Sequence, residues 1–366
     1  MSAAPETARP ETAPPPTRVF DGHNDFLLRL WSHRDTRRAV WLERGDAGHL
    51  DLPRMRAGGF AGGLFAIFVP PAMRPDPASM ATAMEETPYD LPQPPDCATE
   101  AAQATALAQA SLFHWMERAA PDDFAVCRSA GQARAAMAAG RVAGVLHMEG
   151  AEAIDADLDA LYAFHQMGLR SLGPVWSRPT LFGHGVPFRF PGDPDTGPGL
   201  TEAGERLVRA CNELGVLIDL SHLNEKGVDD VASLSSAPLV ATHSNAHAVT
   251  PSPRNLTDRQ LAQIAETGGL VGLNFATFFL RPDGKARRDT PLEDALRHLD
   301  HLLSHLGEEG VALGSDFDGC LLPQAIGDAA GLPALIGAMR AHGYGERLVA
   351  KIARENWLRL LDRVIG

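Results

Sequence analysis

The stretch Val19-Phe20-Asp21-Gly22-His23-Asn24-Asp25 ends a short apolar run with two side chains that can bind a metal ion. On an extended strand, residues i and i+2 point to the same face, so His23 and Asp25 can reach one point just beyond the strand. Imidazole nitrogen and carboxylate oxygen are common ligands of a catalytic divalent ion such as zinc. A single His-x-Asp pair is common by chance, so its meaning depends on how the other strands end.

Short apolar runs recur along the chain and predict eight strands. They lack strict alternation, as expected for strands buried on both faces of a parallel sheet. Helical patterns separate them, and no GxGxxG or P-loop motif follows the first run. The α/β alternation therefore predicts a (β/α)8 TIM barrel of the metal-dependent hydrolase type rather than an open doubly wound sheet. The strands are expected at 19–23, 63–69, 143–149, 169–175, 216–221, 239–244, 270–275 and 311–316.

The composition is that of a globular protein without a basic surface. The 366 residues include 33 Lys+Arg against 46 Asp+Glu, and the net charge of -13 argues against nucleic-acid or polybasic membrane binding. The four cysteines show no CxxC spacing, and the N-terminus lacks the order of a signal peptide. We expect a soluble, cytoplasmic protein with a disordered Pro-rich tail at 1–17 and one catalytic barrel domain with C-terminal helices at 18–366.

Two irregular segments, at 70–96 and 177–199, interrupt the regular alternation. Each follows a predicted strand, which in a barrel places it on the side that carries active sites. We predict that both form lids or walls of a pocket.

Histidines and carboxylates occupy the ends of at least five predicted strands. A lone residue of this kind at a strand end is usually structural, but barrel active sites lie at the carboxyl ends of strands. Independent structural residues would not concentrate there, so the set predicts a metal site. Its members are His23, Asp25, Glu149, His222, His243, Asp316 and Asp318.

The number of candidate ligands favours two metal ions. A catalytic zinc has three protein ligands and an open position, whereas two ions about 3.5–4 Å apart and bridged by one carboxylate would use five. Such a pair would lower the pKa of a bridging water, give hydroxide near neutral pH and polarise a carbonyl. Asp316 is then free to accept the water's proton and pass it to the leaving amine.

The chain resembles the membrane dipeptidase (renal dipeptidase) family, peptidase family M19, of binuclear zinc peptidases among the amidohydrolase-like barrels. The matching motifs follow the family's order from residue 20 to about 320. They are Asp21-Gly22-His23-Asn24-Asp25, Glu149-Gly150, Ile218-Asp219-Leu220-Ser221-His222, Thr242-His243-Ser244, Arg254-Asn255 and Gly314-Ser315-Asp316-Phe317-Asp318-Gly319.

This resemblance implies two Zn²⁺ ions per chain. It implies that His23 and Asp25 bind one ion, that His222 and His243 bind the other, and that Glu149 bridges them. The implied reaction is hydrolysis of short peptides, including dipeptides with a C-terminal D-residue, and a homodimer is implied as well.

The resemblance also assigns the residues that act on the substrate. It makes Asp316 the proton-transfer residue and places Arg254 on the substrate's C-terminal carboxylate. The planar guanidinium suits that task, because it can hold a carboxylate with two hydrogen bonds.

The chain departs from the family pattern after the fourth strand. Trp176 stands where a substrate-contacting histidine is expected, and His184 on the following loop is a candidate replacement. The family's tyrosine after the seventh strand is also missing, since the chain reads Asn274-Phe275-Ala276-Thr277-Phe278-Phe279. Two alternatives therefore stay open: a metal-dependent amidohydrolase acting on another amide, such as an N-acyl amino acid, or a catalytically silent metal-binding barrel.

Overall fold

The computed structural model describes residues 16–71 and 77–366. The tail predicted at 1–17 falls mainly on residues 1–15, which lie outside the described residues. The strands in chain order are β1 (Val19–Asn24), β2 (Phe60–Phe68), β3 (Tyr89–Asp90), β4 (Phe124–Val126), β5 (Val142–Glu149), β6 (Leu169–Gly173), β7 (Arg189–Phe190), β8 (Leu217–Ile218), β9 (Val240–Ala241), β10 (Leu270–Leu273) and β11 (Val311–Leu313).

Eight parallel strands close into a barrel. The ladder runs in the order β1-β2-β5-β6-β8, and a second ladder joins β9, β10 and β11. Parallel bridges between Asp219 and Val240 and between Asn24 and Phe317 join the two ladders on both sides. The predicted TIM-barrel fold is confirmed, and each of the eight predicted strands overlaps a barrel strand.

Helices follow the strands and cover the outside of the barrel. Several begin at the expected N-caps: Thr257, for example, accepts a hydrogen bond from the Gln260 backbone N–H, and the Gln260 side chain bonds back. The helices are α1 (Phe26–Ser32), α2 (Arg37–Leu42), α3 (Leu52–Gly58), α4 (Pro77–Ala83), α5 (Thr99–Ala119), α6 (Ala130–Ala138), α7 (Asp159–Met167), α8 (Glu202–Leu214), α9 (Glu225–Leu234), α10 (Asp258–Glu266), α11 (Thr277–Leu280), α12 (Leu292–Leu306), α13 (Leu332–Ala341), α14 (Glu346–Ala350) and α15 (Asn356–Val364). Among the residues described, no helix combines the length and apolarity that crossing a membrane requires.

The amino end of the barrel is closed by the C-terminal helix α15. Trp357 is fully buried among side chains from the starts of the strands, and its indole N–H donates to the Leu313 carbonyl oxygen at 2.8 Å. A Cβ at Gly22 would collide with the Trp357 ring and the Thr242 carbonyl oxygen, so only glycine fits there. This apolar plug leaves the opposite, carboxyl end for the polar residues.

The two irregular segments meet above the carboxyl end. Strand β3 pairs antiparallel with β7, although about 100 residues separate them in sequence. Tyr89 and Phe190 pack with Phe278 and Phe279 in a small separate apolar cluster. The described parts of both segments thus form a wall beside the barrel mouth.

Candidate metal centre

Three imidazoles converge on one carboxylate oxygen at the carboxyl end of the barrel. Glu149 Oε1 lies 3.6 Å from His23 Nε2, 3.0 Å from His222 Nε2 and 3.3 Å from His243 Nε2. Asp25 Oδ2 lies 3.7 Å from His23 Nε2. All five residues are buried. The structure therefore brings together the five ligands predicted from four separate motifs.

These groups have too few protein partners of their own. Both ring nitrogens of His23 and Asp25 Oδ1 are buried without a hydrogen-bond partner among the described residues. Leaving such polar groups unpaired in the interior is costly. A bound divalent cation would satisfy them, and nitrogen and carboxylate oxygen donors suit zinc. The residues present thus fit a metal centre.

Burial and mutual charge shift the pKa values in this cluster strongly. Burial raises the pKa of Glu149 well above its usual range and lowers those of His222 and His243 well below theirs. Burial also acts to lower the pKa of His23, but the carboxylates of Glu149 and Asp25 outweigh it and raise that pKa to about 10. The cluster therefore retains a proton in a place where a cation could supply the positive charge.

Hydrogen bonds fix the orientation of two of the imidazoles. The Thr242 hydroxyl donates to Asp219 Oδ2 at 2.5 Å, so its oxygen accepts from His243 Nδ1, 2.8 Å away. His222 Nδ1 lies 2.8 Å from the Ser177 Oγ. A proton held on Nδ1 leaves the Nε2 lone pair free for a metal ion.

Neither His147 nor a role for Asp219 was predicted from the sequence. His147 Nδ1 lies 2.9 Å from Ser171 Oγ, and its Nε2 lies 3.6 Å from Asp219 Oδ2. Burial lowers the pKa of His147 to about 3, so the ring is neutral beneath the cluster. Its position two residues before Glu149 on one strand places both on the same face, and this spacing could have identified it.

Asp316 lies at the edge of the same cluster. One atom each of His23, Asp25 and Asp316 lie within 4.8 Å of one another. The Asn274 amide donates to Asp316 Oδ2 at 3.0 Å. Burial, followed by the charge of Asp25, raises the pKa of Asp316 to about 6. Neighbouring Ser315 donates through its backbone N–H and hydroxyl to Asp21, which ties the last strand motif to the first.

The Arg254 guanidinium is buried beside the His243 segment. It donates to the His243 carbonyl oxygen at 2.9 Å and the Ser244 hydroxyl at 3.2 Å, and it lies 5.2 Å from the centre of the Phe279 ring. Its Nε–H has no hydrogen-bond partner among the residues described. A buried cation with an unused donor is suited to bind an anionic group.

Trp176 and His184 differ in their contact with the cluster. The Trp176 ring borders the cluster, with its centroid 5.9 Å from that of His222, and it packs on Phe68 and Phe188. His184 is half-buried, and its carbonyl oxygen accepts from the Asn224 backbone N–H at 3.2 Å. Within residues 16–71 and 77–366, its imidazole has no hydrogen bond or ion pair with the cluster.

The chain matches the family described as membrane dipeptidase (peptidase family M19) over residues 15–365. Two solved structures are similar at 63% identity: a Rhodobacter sphaeroides metallo peptidase liganded with a phosphinate mimic of the dipeptide L-Ala-D-Ala, and the dipeptidase AC, a metallo peptidase of family M19. The first has a TM-score of 0.94, and its alignment covers 95% of this chain and 99% of the Rhodobacter sphaeroides chain. The second has a TM-score of 0.93 and covers 96% and 99%.

A sequence relative is similar over much of the chain. The uncharacterized protein in the pqqA 5' region of Klebsiella pneumoniae is 49% identical over 248 residues, which is 65% of this chain and 92% of that protein. The family match covers nearly the whole chain, including all the motifs that carried the resemblance. The chain therefore belongs to the membrane dipeptidase family, peptidase family M19, and is a metallo-dipeptidase.

Proposed function

We propose that this protein is a binuclear zinc dipeptidase that cleaves dipeptides with a free C-terminal carboxylate, including L-Xaa-D-Xaa. The observation that carries the proposal is the convergence of three imidazoles on one oxygen of Glu149. The similar Rhodobacter sphaeroides structure, liganded with a phosphinate mimic of L-Ala-D-Ala, supports the substrate class.

In this proposal the Glu149 carboxylate would be shared by two ions. His23 and Asp25 would hold one ion, and His222 and His243 would hold the other. When bound, such ions acidify water and polarise the scissile carbonyl. The protein contributes a closely spaced donor set, buried away from bulk water, in which an electrostatic interaction is stronger than in solvent.

Asp316 is the proposed proton carrier. Its carboxylate lies beside His23 and Asp25, and the Asn274 amide holds Oδ2, which leaves Oδ1 available for a proton. The group must begin ionised to accept the proton of the attacking water. It then returns that proton to the amine that leaves when the peptide bond breaks.

Arg254 is the proposed anchor for the substrate's terminal carboxylate. Two of its nitrogens are held by the His243 carbonyl oxygen and the Ser244 hydroxyl, so the guanidinium is pre-positioned. Its unpaired, buried Nε–H can then form a charge-assisted hydrogen bond. This interaction would favour substrates with a free C-terminal carboxylate.

Trp176 favours a second candidate substrate class. An indole offers one N–H donor and a large apolar face, whereas the expected histidine could also change its protonation. Packed between Phe68, Phe188 and His222, this face suits an apolar acyl group, as in an N-acyl amino acid. His184 stays a proposed replacement for the expected histidine, and the homodimer also stays a prediction.

A substrate panel separates these candidates. Zinc-reconstituted protein is assayed on L-Ala-L-Ala, L-Ala-D-Ala and N-acetyl-D-Ala, with a chelated sample as the control. Chelator-sensitive cleavage of the dipeptides supports the dipeptidase proposal. Cleavage of only the acylated substrate supports the second candidate, and a zinc-loaded protein that cleaves neither class contradicts both.

The variant Trp176→His tests the pocket wall directly. If the tryptophan only reshapes the pocket, dipeptide turnover should change by at most about 10–200-fold, the range for one small group in a hydrophobic pocket. A much larger gain in dipeptide turnover would favour a drifted specificity, and His184→Ala is the parallel test of the neighbouring loop.

A further inference from the structure

A second group of possible metal ligands lies on the outside of the barrel. Asp258 is the first residue of α10, while His301 and His305 lie four residues apart near the end of α12. Residues i and i+4 of a helix share one face, so both imidazoles can reach the same point. One potential ligand atom from each of the three residues lies within 4.8 Å of the other two.

The distances are compatible with a shared cation. Asp258 Oδ1 lies 2.7 Å from His301 Nε2, and Asp258 Oδ2 lies 3.7 Å from His305 Nε2. The two rings are stacked with their centroids 4.4 Å apart. Both Nε2 atoms thus face the Asp258 carboxylate, with His301 next to Oδ1 and His305 next to Oδ2.

The hydrogen bonds of His305 fix the tautomer that a metal ligand needs. Its Nδ1 lies 3.0 Å from the His301 carbonyl oxygen, which can only accept, so Nδ1 carries the proton. Ser304 donates to the same carbonyl oxygen, and its Oγ also lies 3.0 Å from Nδ1. The Nε2 lone pair of His305 is therefore free and is directed towards Asp258.

The site is open enough to be loaded from solution. The side chains of His301 and His305 are 22% and 29% exposed, and that of Asp258 is 55% exposed. Two imidazoles and one carboxylate would leave room for water in a fourth position. This donor set suits zinc and other late divalent metals, whereas calcium and magnesium prefer oxygen ligands.

We propose that Asp258, His301 and His305 form a surface binding site for a divalent transition-metal ion of the zinc class, separate from the barrel centre. The site cross-links α10 to α12, which pack against each other. When the ion binds, His301 loses its hydrogen bond to Asp258, and its ring proton moves through solvent from Nε2 to Nδ1, which leaves the Nε2 lone pair for the metal. Because the ligands come from two distant parts of the chain, the ion binds the folded state and stabilises it.

The test compares zinc content between variants of the whole, zinc-loaded protein. The double variant His301→Gln/His305→Gln removes both imidazoles. The matched control is His342→Gln, because His342 forms a similar exposed pair with Asp300 at 2.8 Å but belongs to no three-ligand group in the described chain. Zinc per chain is measured after equilibrium dialysis, together with the zinc-induced change in Tm.

The proposal predicts one zinc ion fewer per chain in the double variant than in the unmodified protein or the control. It also predicts loss of a zinc-induced rise in Tm of about 2–4 °C. Asp258→Asn should weaken this site by about tenfold or more without removing it, because the amide lacks the carboxylate's charge.

Dipeptide turnover should not change in these variants, so the result does not depend on the function proposed for the barrel centre. Equal zinc content and equal zinc-induced Tm shifts in the double variant and the unmodified protein would overturn the proposal. A loss of one zinc ion in the control His342→Gln would overturn it as well.

Discussion

The two halves of the candidate metal centre differ in how the protein supports them. On the β8–β9 side, Ser177 orients His222, and Thr242 with Asp219 orients His243. On the β1 side, both ring nitrogens of His23 and one oxygen of Asp25 lack partners among the described residues. We therefore expect the β8–β9 half to bind its ion more tightly, because its ligands are already held in the binding geometry.

Removing Glu149 should have the largest effect, because this residue contacts both halves. In Glu149→Gln we expect turnover to fall by about 10⁴-fold or more, since each ion contributes several kcal/mol to the transition state. Zinc content should fall as well. Glu152→Gln is the control: it removes a neighbouring buried carboxylate paired with Arg178, and it should lower stability while zinc is retained. Full zinc content in Glu149→Gln would contradict the bridging role.

Asp316→Asn should slow the chemical step and leave zinc bound in both halves of the centre. We expect turnover to fall by about 10²–10⁴-fold, the range of a lost proton-transfer group, with unchanged zinc content. Asp328→Asn serves as the control because its carboxylate accepts from the Arg54 guanidinium at 2.8 Å and not from the cluster. Retained turnover in Asp316→Asn would remove the assigned role.

Arg254→Met tests the substrate side of the β8–β9 half. Loss of a charge-assisted hydrogen bond should raise KM by about 10–100-fold, while kcat changes much less. The assay compares L-Ala-D-Ala with its C-terminal amide, which lacks the charge. An unchanged KM for the dipeptide would exclude Arg254 from carboxylate binding.

The orienting hydroxyls should give the smallest effects, and they sharpen the comparison most. Thr242→Val and Ser177→Ala should each weaken zinc binding by about 10-fold, and at most about 100-fold, through lost orientation of one imidazole. Ser171→Ala, which frees His147 in the same way, is the control and should leave zinc affinity nearly unchanged. Equal weakening by all three substitutions would show that orientation does not distinguish the halves.

The barrel could be predicted from the sequence because its strands are buried on both faces and leave short apolar runs. The strand ends were less predictable: β8 and β11 end at Ile218 and Leu313, earlier than expected. His222 and Asp316 adopt positive φ values of 73° and 59°, which no strand permits. The Asp219 carboxylate accepts hydrogen bonds from the Ser221 and Thr242 backbone N–H groups, in place of carbonyl oxygens of a neighbouring strand. A local sequence pattern does not reveal such a contact.

The candidate ligands of the site could be predicted from the sequence, whereas the residues that orient them could not. Metal-binding residue types at strand ends reflect local order, so five candidate ligands could be proposed by position. The contacts from Ser177 to His222 and from Thr242 through Asp219 to His147 join separate strands, and the pairing of β3 with β7 joins distant segments. The partners in such contacts follow only from the folded arrangement. The same applies to Asp258, since the spacing of His301 and His305 does not reveal it.

A zinc titration of metal-free protein against a competing chelator measures the difference between the two halves directly. The titration uses the His301→Gln/His305→Gln background, so that only ions at the barrel centre are counted. We expect two ions of unequal affinity: His23→Ala should keep the tighter one, and His243→Ala should lose it. A single ion, two equal affinities, or loss of the tighter ion in His23→Ala would show that the β8–β9 half does not bind its ion more tightly.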